Sequence, residues 1–190
     1  MKTLTVFILC GGKSTRMQSE KGLVLFQEKP FIEHIIKAIL PITDQIKLIT
    51  GSKEYDYLEY EKIPDLVEDK GPLGGIYTAL SHSETEFNLI LSCDIPLIST
   101  QLLQELISKH TKQAAITVFA SESKTHPLIG IYSKNIVPVI KEAIDSSELR
   151  VMDLLAKLPH QIINIEESEN YPLTNINSAD ELNDLNINSI

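Results

Sequence analysis

Residues 3–10, TLTVFILC, are apolar or β-branched without a charge, and Gly11-Gly12 follows at once. Such a run, apolar at successive positions, reads as a strand covered on both faces, which is the pattern of parallel sheets. Two glycines at its end permit positive φ and leave backbone N–H groups bare. Lys13, Arg16 and Lys21 then put three cations within nine residues. Bare amides beside cations suit phosphate oxygens. The pattern also fits a glycine turn leading into a solvated basic loop. It is not a Walker A loop, since no Gly-Lys-Ser/Thr follows a first Gly at the required distance. It is not Gly-x-Gly-x-x-Gly either.

Beyond this turn, strands and helices alternate. Pro30 opens a helix in which Phe31, Ile32, Ile35, Ile36, Ile39 and Leu40 form an apolar stripe, and Pro41 stops it. A second strand covers 45–50, and residues 53–62 read as an exposed short helix or loop. A third strand is expected over 63–68. Asp69-Lys70-Gly71-Pro72-Leu73-Gly74-Gly75 then reads as a second glycine-rich turn, with a helix over 76–82 behind it. A strongly apolar strand covers 87–92 and ends on Cys93-Asp94-Ile95-Pro96. Ser99 or Thr100 caps a helix running to about Lys109. Residues 114–120 and 126–132, separated by a polar turn, read as a hairpin. Helices follow over 134–145 and 150–157, the second with Leu149, Met152 and Leu154 or Leu155 inward, and a last strand covers 161–165. Ser178 with Glu181 is a capping box that starts a short helix after Asn175-Ile176-Asn177.

This alternation predicts an α/β chain, a mostly parallel sheet with an antiparallel edge or hairpin and helices on both faces. At 190 residues it is read as one domain over 1–190, frayed from about 186. Ligands of such sheets bind beyond the carboxyl ends of the strands. The ends near Gly11, Asp69 and Asp94 therefore fall on one edge.

Composition narrows the function classes. No apolar run approaches about 20 residues, so no membrane span is expected. A polar segment follows the first apolar run too soon for a secretory leader, so the protein is read as cytoplasmic. The net charge of −9 argues against non-specific nucleic-acid binding. Cys10 and Cys93, the two cysteines, each end a strand and read as small buried hydrophobes.

Asp94, at a strand end held by a proline turn, suits Mg²⁺, which takes one or two carboxylates plus phosphate oxygens. A turn Asp bonded to its own backbone fits equally well. Three glycines around Pro72 can press bare backbone against a base or sugar, or can simply connect to a helix. His126, before Pro127, is more often structural than catalytic.

Together these residues resemble the molybdenum cofactor guanylyltransferases, within the wider nucleotidyltransferases built on a Rossmann-like three-layer α/β/α fold. The family's Leu-x-Gly-Gly-x-Ser-x-Arg-Met-Gly-x-Asp-Lys stands here as Leu9 to Lys21, with Gln18 for Gly and Glu20 for Asp. Gly-Pro-Leu-Gly-Gly is intact at 71–75, and Asp69 matches the acidic position before it. Cys93-Asp94-Ile95-Pro96 is similar to the family's Cys-Asp-x-Pro. His126-Pro127-Leu128 and Asn175-Ile176-Asn177-Ser178 match its His-Pro-Leu and Asn-x-Asn-Thr segments.

The resemblance implies transfer of GMP from GTP to the terminal phosphate of molybdopterin, with release of pyrophosphate and dependence on Mg²⁺. Arg16, Lys21 and Asp94 would be catalytic, and Asp94 would be the metal ligand. Leu9, Cys10, Gly11, Gly12, Lys21, Asp69, Gly71, Pro72, Leu73, Gly74 and Asp94 would bind the nucleotide. His126, Asn175 and Asn177 would face the pterin. GTP and molybdopterin would be the substrates of a monomer in transient contact with other proteins of molybdenum cofactor biosynthesis. Two alternatives stay open: a relative using CTP or a sugar or polyol phosphate acceptor, and a nucleotide-binding module without catalysis.

Overall fold

The computed structural model describes residues 4–11, 13–14, 19–121, 124–166, 171–178 and 180–183. Gly12, Arg16 and Gln18, expected at the phosphate-binding turn, lie outside the described residues, as does the tail from 184 onward, expected to fray from about 186.

Seven strands form the main sheet: β1 (Thr5–Leu9), β2 (Ile46–Ile49), β3 (Glu61–Ile63), β4 (Phe87–Ser92), β5 (Ile116–Ala120), β6 (Thr125–Ser133) and β7 (His160–Asn164). Their spatial order is β7-β5-β6-β4-β1-β2-β3. Every pairing is parallel except those of β6 with β4 and with β5. The hairpin is present as expected, but its antiparallel strand lies inside the sheet, and the edge beside it is the parallel β7.

Alternating side chains of the central strands serve two cores. Val6, Ile8, Leu89 and Leu91 pack with α1 (Phe31–Ile39) and α3 (Thr100–Lys109). Phe7, Leu9 and Ile90 pack on the other face with α2 (Gly71–Ser81), α4 (Val137–Asp145) and α5 (Val151–Lys157). The sheet is therefore the middle of three layers, and β1 and β4 are apolar at successive positions because both faces are covered. A third, small cluster joins Val24, Phe26 and Phe31 to Ile176.

Five sequence expectations are corrected. The third strand is Glu61–Ile63, not 63–68. Pro64 has no N–H to continue the ladder. As an edge strand, β3 is carried by the Lys47–Glu61 pair across from β2 (2.9 Å) and not by an apolar run. Residues 71–75 are the first turn of α2 rather than a loop before it. A β-carbon on Gly74 would lie 2.9 Å from the Lys70 β-carbon and 3.2 Å from the Val67 carbonyl oxygen, so glycine there serves close packing. Leu40 and Met152, expected inward, are 52% and 47% exposed. Leu40 is the C-cap, past the last residue of α1. Met152 lies one residue past buried Val151 and two before buried Leu154, off the stripe that α5 turns inward. Tyr55, in a stretch expected to be exposed, is fully buried.

Candidate active site

β1 and β4 pair in parallel as far as Leu9 and Ser92, so their carboxyl ends release the chain side by side. Cys93 N donates to Leu9 O at 3.2 Å, which continues the ladder one step and brings Cys10 and Cys93 together below the surface. The Cys93 thiol beside it, and then burial, push the Cys10 thiol well above the ordinary value. A thiol so held is not a nucleophile at neutral pH.

Asp94 follows directly and is 5% exposed. Its Oδ1 accepts from Ser92 Oγ and from Asn175 Nδ2, both at 2.6 Å. Its Oδ2 lies 3.1 Å from Lys21 Nζ, which also donates to Asn177 Oδ1 at 2.6 Å. Two pieces of local chemistry bring these remote groups to one point. Ile176, between the two asparagines, is buried on Phe26 and Phe31, and its N–H donates to Asp94 O at 2.9 Å. Gly22, next to Lys21, sits against Tyr55. A β-carbon there would meet the Tyr55 hydroxyl at 2.7 Å and the Cys93 β-carbon at 3.3 Å. The capping box closes the segment: Glu181 N donates to Ser178 Oγ, and Glu181 Oε2 accepts from Asn177 N and Ser178 N.

These groups open into a cleft of about 760 Å³, large enough for a nucleotide. Its wall includes Leu9, Gly11, Asp65, Asp69, Lys70, Gly71, Pro72, Gly75, Ser92 and Leu128, beside Lys21 and Asp94. The N-terminus of α2 faces it, adding partial positive charge. Of the expected nucleotide-binding residues, Leu9, Gly11, Lys21, Asp69, Gly71, Pro72 and Asp94 thus share one cavity. Cys10, Leu73 and Gly74 are buried beneath it. His126 is buried on β6, two residues before Leu128, which lines the cleft. Asn175 and Asn177, expected against a pterin, touch Asp94 and Lys21 at the edge of this cleft.

Two charged wall residues, Lys70 and Asp65, escaped the sequence reading. Asp65 Oδ2 lies 3.5 Å from where a β-carbon on Gly11 would sit. Burial by the cleft walls raises the Asp65 carboxyl above the ordinary value, and a hydrogen bond from Thr78 opposes this. The signal for Asp65 was the strand-end rule itself: with β3 ending at Ile63, Asp65 stands at its carboxyl end.

Among the described residues no group of three or more His, Cys, Asp or Glu could hold a metal ion. A divalent cation here would draw on Asp94 and on substrate phosphates. One hard carboxylate oxygen with phosphates fits Mg²⁺ or Mn²⁺. Among the described residues no helix is long and apolar enough to cross a membrane.

Comparison with known proteins agrees with this architecture. The model of the MobA-like NTP transferase domain matches residues 6–162. A Flavobacterium johnsoniae protein named "Probable molybdenum cofactor guanylyltransferase" is 86% identical over 188 residues, 99% of each chain. One of the same name from Carboxydothermus hydrogenoformans is 35% identical over 167 residues, 88% of this chain and 84% of that one. A crystal structure of an Aquifex aeolicus protein is similar, with TM-score 0.81 and 26% identity over 93% of this chain and 95% of that one. The fold is shared with molybdopterin-guanine dinucleotide biosynthesis protein A from Archaeoglobus fulgidus (TM-score 0.81, 21% identity, 98% of both chains). The family model spans the sheet from β1 into β7 and the Flavobacterium johnsoniae relative extends over the asparagine segment, so this chain belongs to the MobA-like NTP transferase family and is a nucleotidyltransferase.

Proposed function

We propose that the chain transfers GMP from GTP to the terminal phosphate of molybdopterin, in the cytoplasm. A phosphate oxygen of molybdopterin attacks the α-phosphorus, the bond to the bridging oxygen of the β-phosphate breaks, and pyrophosphate leaves. The nucleophile is already an anion, so the protein needs no general base. Its part is to position two anions and neutralise them. Lys21, the Gly11 backbone and the α2 terminus bind and orient the triphosphate. Arg16 and Gly12 join them by their place in the motif. Asp65, Asp69 and residues 71–72 line the base and ribose side, and the N–H edge of guanine suits a carboxylate acceptor such as Asp65. Asp94 would hold Mg²⁺, which supplies charge neutralisation on the phosphates when bound. His126 and Leu128 lie toward the acceptor side. The reading extends to transient contact with other proteins of molybdenum cofactor biosynthesis and to a monomer.

The observation that carries this is the Lys21–Asp94 pair at the adjoining ends of β1 and β4, in a chain 86% identical to a protein named for this reaction. The test is incubation with Mg²⁺, molybdopterin and each of the four nucleoside triphosphates, with pyrophosphate measured. Release with GTP is expected. Release with CTP alone would overturn the base assignment, and none with any nucleotide would overturn the enzyme reading.

A further inference from the structure

The two oxygens of Asp94 are not equivalent. Oδ1 accepts two hydrogen bonds of 2.6 Å, from Ser92 Oγ and Asn175 Nδ2. Two donors occupy the two lone pairs of that oxygen. Both come from well-held backbone: Ser92 is the last residue of β4, and Asn175 adjoins Ile176, which is buried and bonded to Asp94 O. The carboxylate plane is therefore fixed, and Oδ2 alone faces a cation. In this state the cation is the Lys21 ammonium, at 3.1 Å, with Asn177 Oδ1 as its second anchor at 2.6 Å.

A divalent metal on Oδ2 and an ammonium on the same oxygen would be like charges within about 4 Å, which repel more strongly beside a buried carboxylate such as Asp94 than in bulk water. They exclude one another. The Lys21 side chain is 26% exposed and borders the cleft, so it has space to leave. Triphosphate oxygens are the stronger attraction on offer there.

We propose that Asp94 Oδ2 is a single seat used in turn by Lys21 and by the divalent metal, so that the nucleotide admits the metal by drawing Lys21 onto its phosphates. Ser92 and Asn175 are positioning residues that leave only this seat open. The inference rests on the guanylyltransferase reading for the identity of the nucleotide. The exchange of cations needs no nucleotide to be tested.

The experiment titrates nucleotide-free protein with Mn²⁺ and follows free Mn²⁺ by electron paramagnetic resonance. Lys21→Met should bind Mn²⁺ about tenfold tighter than the wild type, the scale of one lost charge-assisted contact. Asn177→Ala, which removes the second anchor, should tighten it by less. Lys21→Met with Asp94→Asn should lose the gain. An unchanged Mn²⁺ affinity in Lys21→Met overturns the proposal; if that variant does not fold, Asn177→Ala decides by the same criterion. Calorimetry with GTP in EDTA checks the order: the wild type should bind GTP without metal. Binding that appears only after metal is added would overturn nucleotide-gated entry. Absence of GTP binding under both conditions would instead overturn the guanylyltransferase reading, with the cation exchange still decided by the nucleotide-free titration.

Discussion

Strand β4 carries a buried polar cluster at each end, and only one of them is a site. At its amino end Asn88 is fully buried, and its Oδ1 is within hydrogen-bond distance of Ser83 Oγ and Thr85 Oγ1. Thr85 Oγ1 also lies 3.1 Å from Thr5 Oγ1, and Lys134 Nζ donates to Ser83 O. These groups answer one another, almost all are neutral, and they tie the turn before β4 to β1. At the carboxyl end the cluster is charged, and it opens into a cleft walled by Asp65, Asp69, Asp94, Lys21 and Lys70. Burial of polar groups is common to both. A fixed carboxylate beside a movable cation, with room for a ligand, belongs to one.

That contrast can be broken by substitution. The largest effect is expected from Asp94→Asn, which should lower GTP-dependent pyrophosphate release about 10³-fold, as for loss of a principal electrostatic group, with little change in melting temperature. Wild-type turnover would remove Asp94 from the site. Asn88→Ala should do the opposite. It strands buried hydroxyls and leaves a small cavity, costing about 2–3 kcal/mol in denaturant unfolding while turnover per folded molecule is unchanged. A loss of turnover there would dissolve the distinction between the two ends.

Smaller changes sharpen it. Asn175→Ala should reduce kcat about tenfold through loss of one charge-assisted contact to Asp94, with the KM for molybdopterin unchanged. A rise in that KM alone would show Asn175 to act on the pterin and not through Asp94. The smallest effect is on stability at Asp65. Its carboxyl is raised in the folded state, so the folded chain holds that proton to higher pH than the unfolded chain does. Its contribution is therefore full below the unfolded value and is lost as pH rises through the folded one. Asp65→Asn should flatten this small decline in melting temperature above the ordinary carboxylate range. A variant curve parallel to the wild type would deny the shift.

Much of the fold was legible because it rests on local rules. The β-branched run before Gly11 forms β1 between two covered faces. Ser99 caps α3 with its side chain accepting from Leu102 N, and Ser178 and Glu181 make the reciprocal bonds that their spacing predicts. Asp94 could be picked out because the strand before it is strongly apolar. The strand over 61–63 was misjudged because an edge strand held by cross-strand pairing carries little hydrophobic signal. Asp65 was missed with it. Residues 71–75 look like loop because glycine and proline are read as breakers, whereas Pro72 is tolerated in a first helical turn and Gly74 answers a packing constraint from Val67 and Lys70.

The sequence by itself determined the layered α/β plan, the strand ends that carry the chemistry and the residue types gathered there. Only the tertiary structure decided their partners. Asn175 meets Asp94 across 81 residues and Asn177 meets Lys21 across 156. Spacing along the chain cannot encode such contacts. They follow from Ile176 finding its place on Phe26 and Phe31 and from the fit of Gly22 against Tyr55, which are matters of packing in three dimensions.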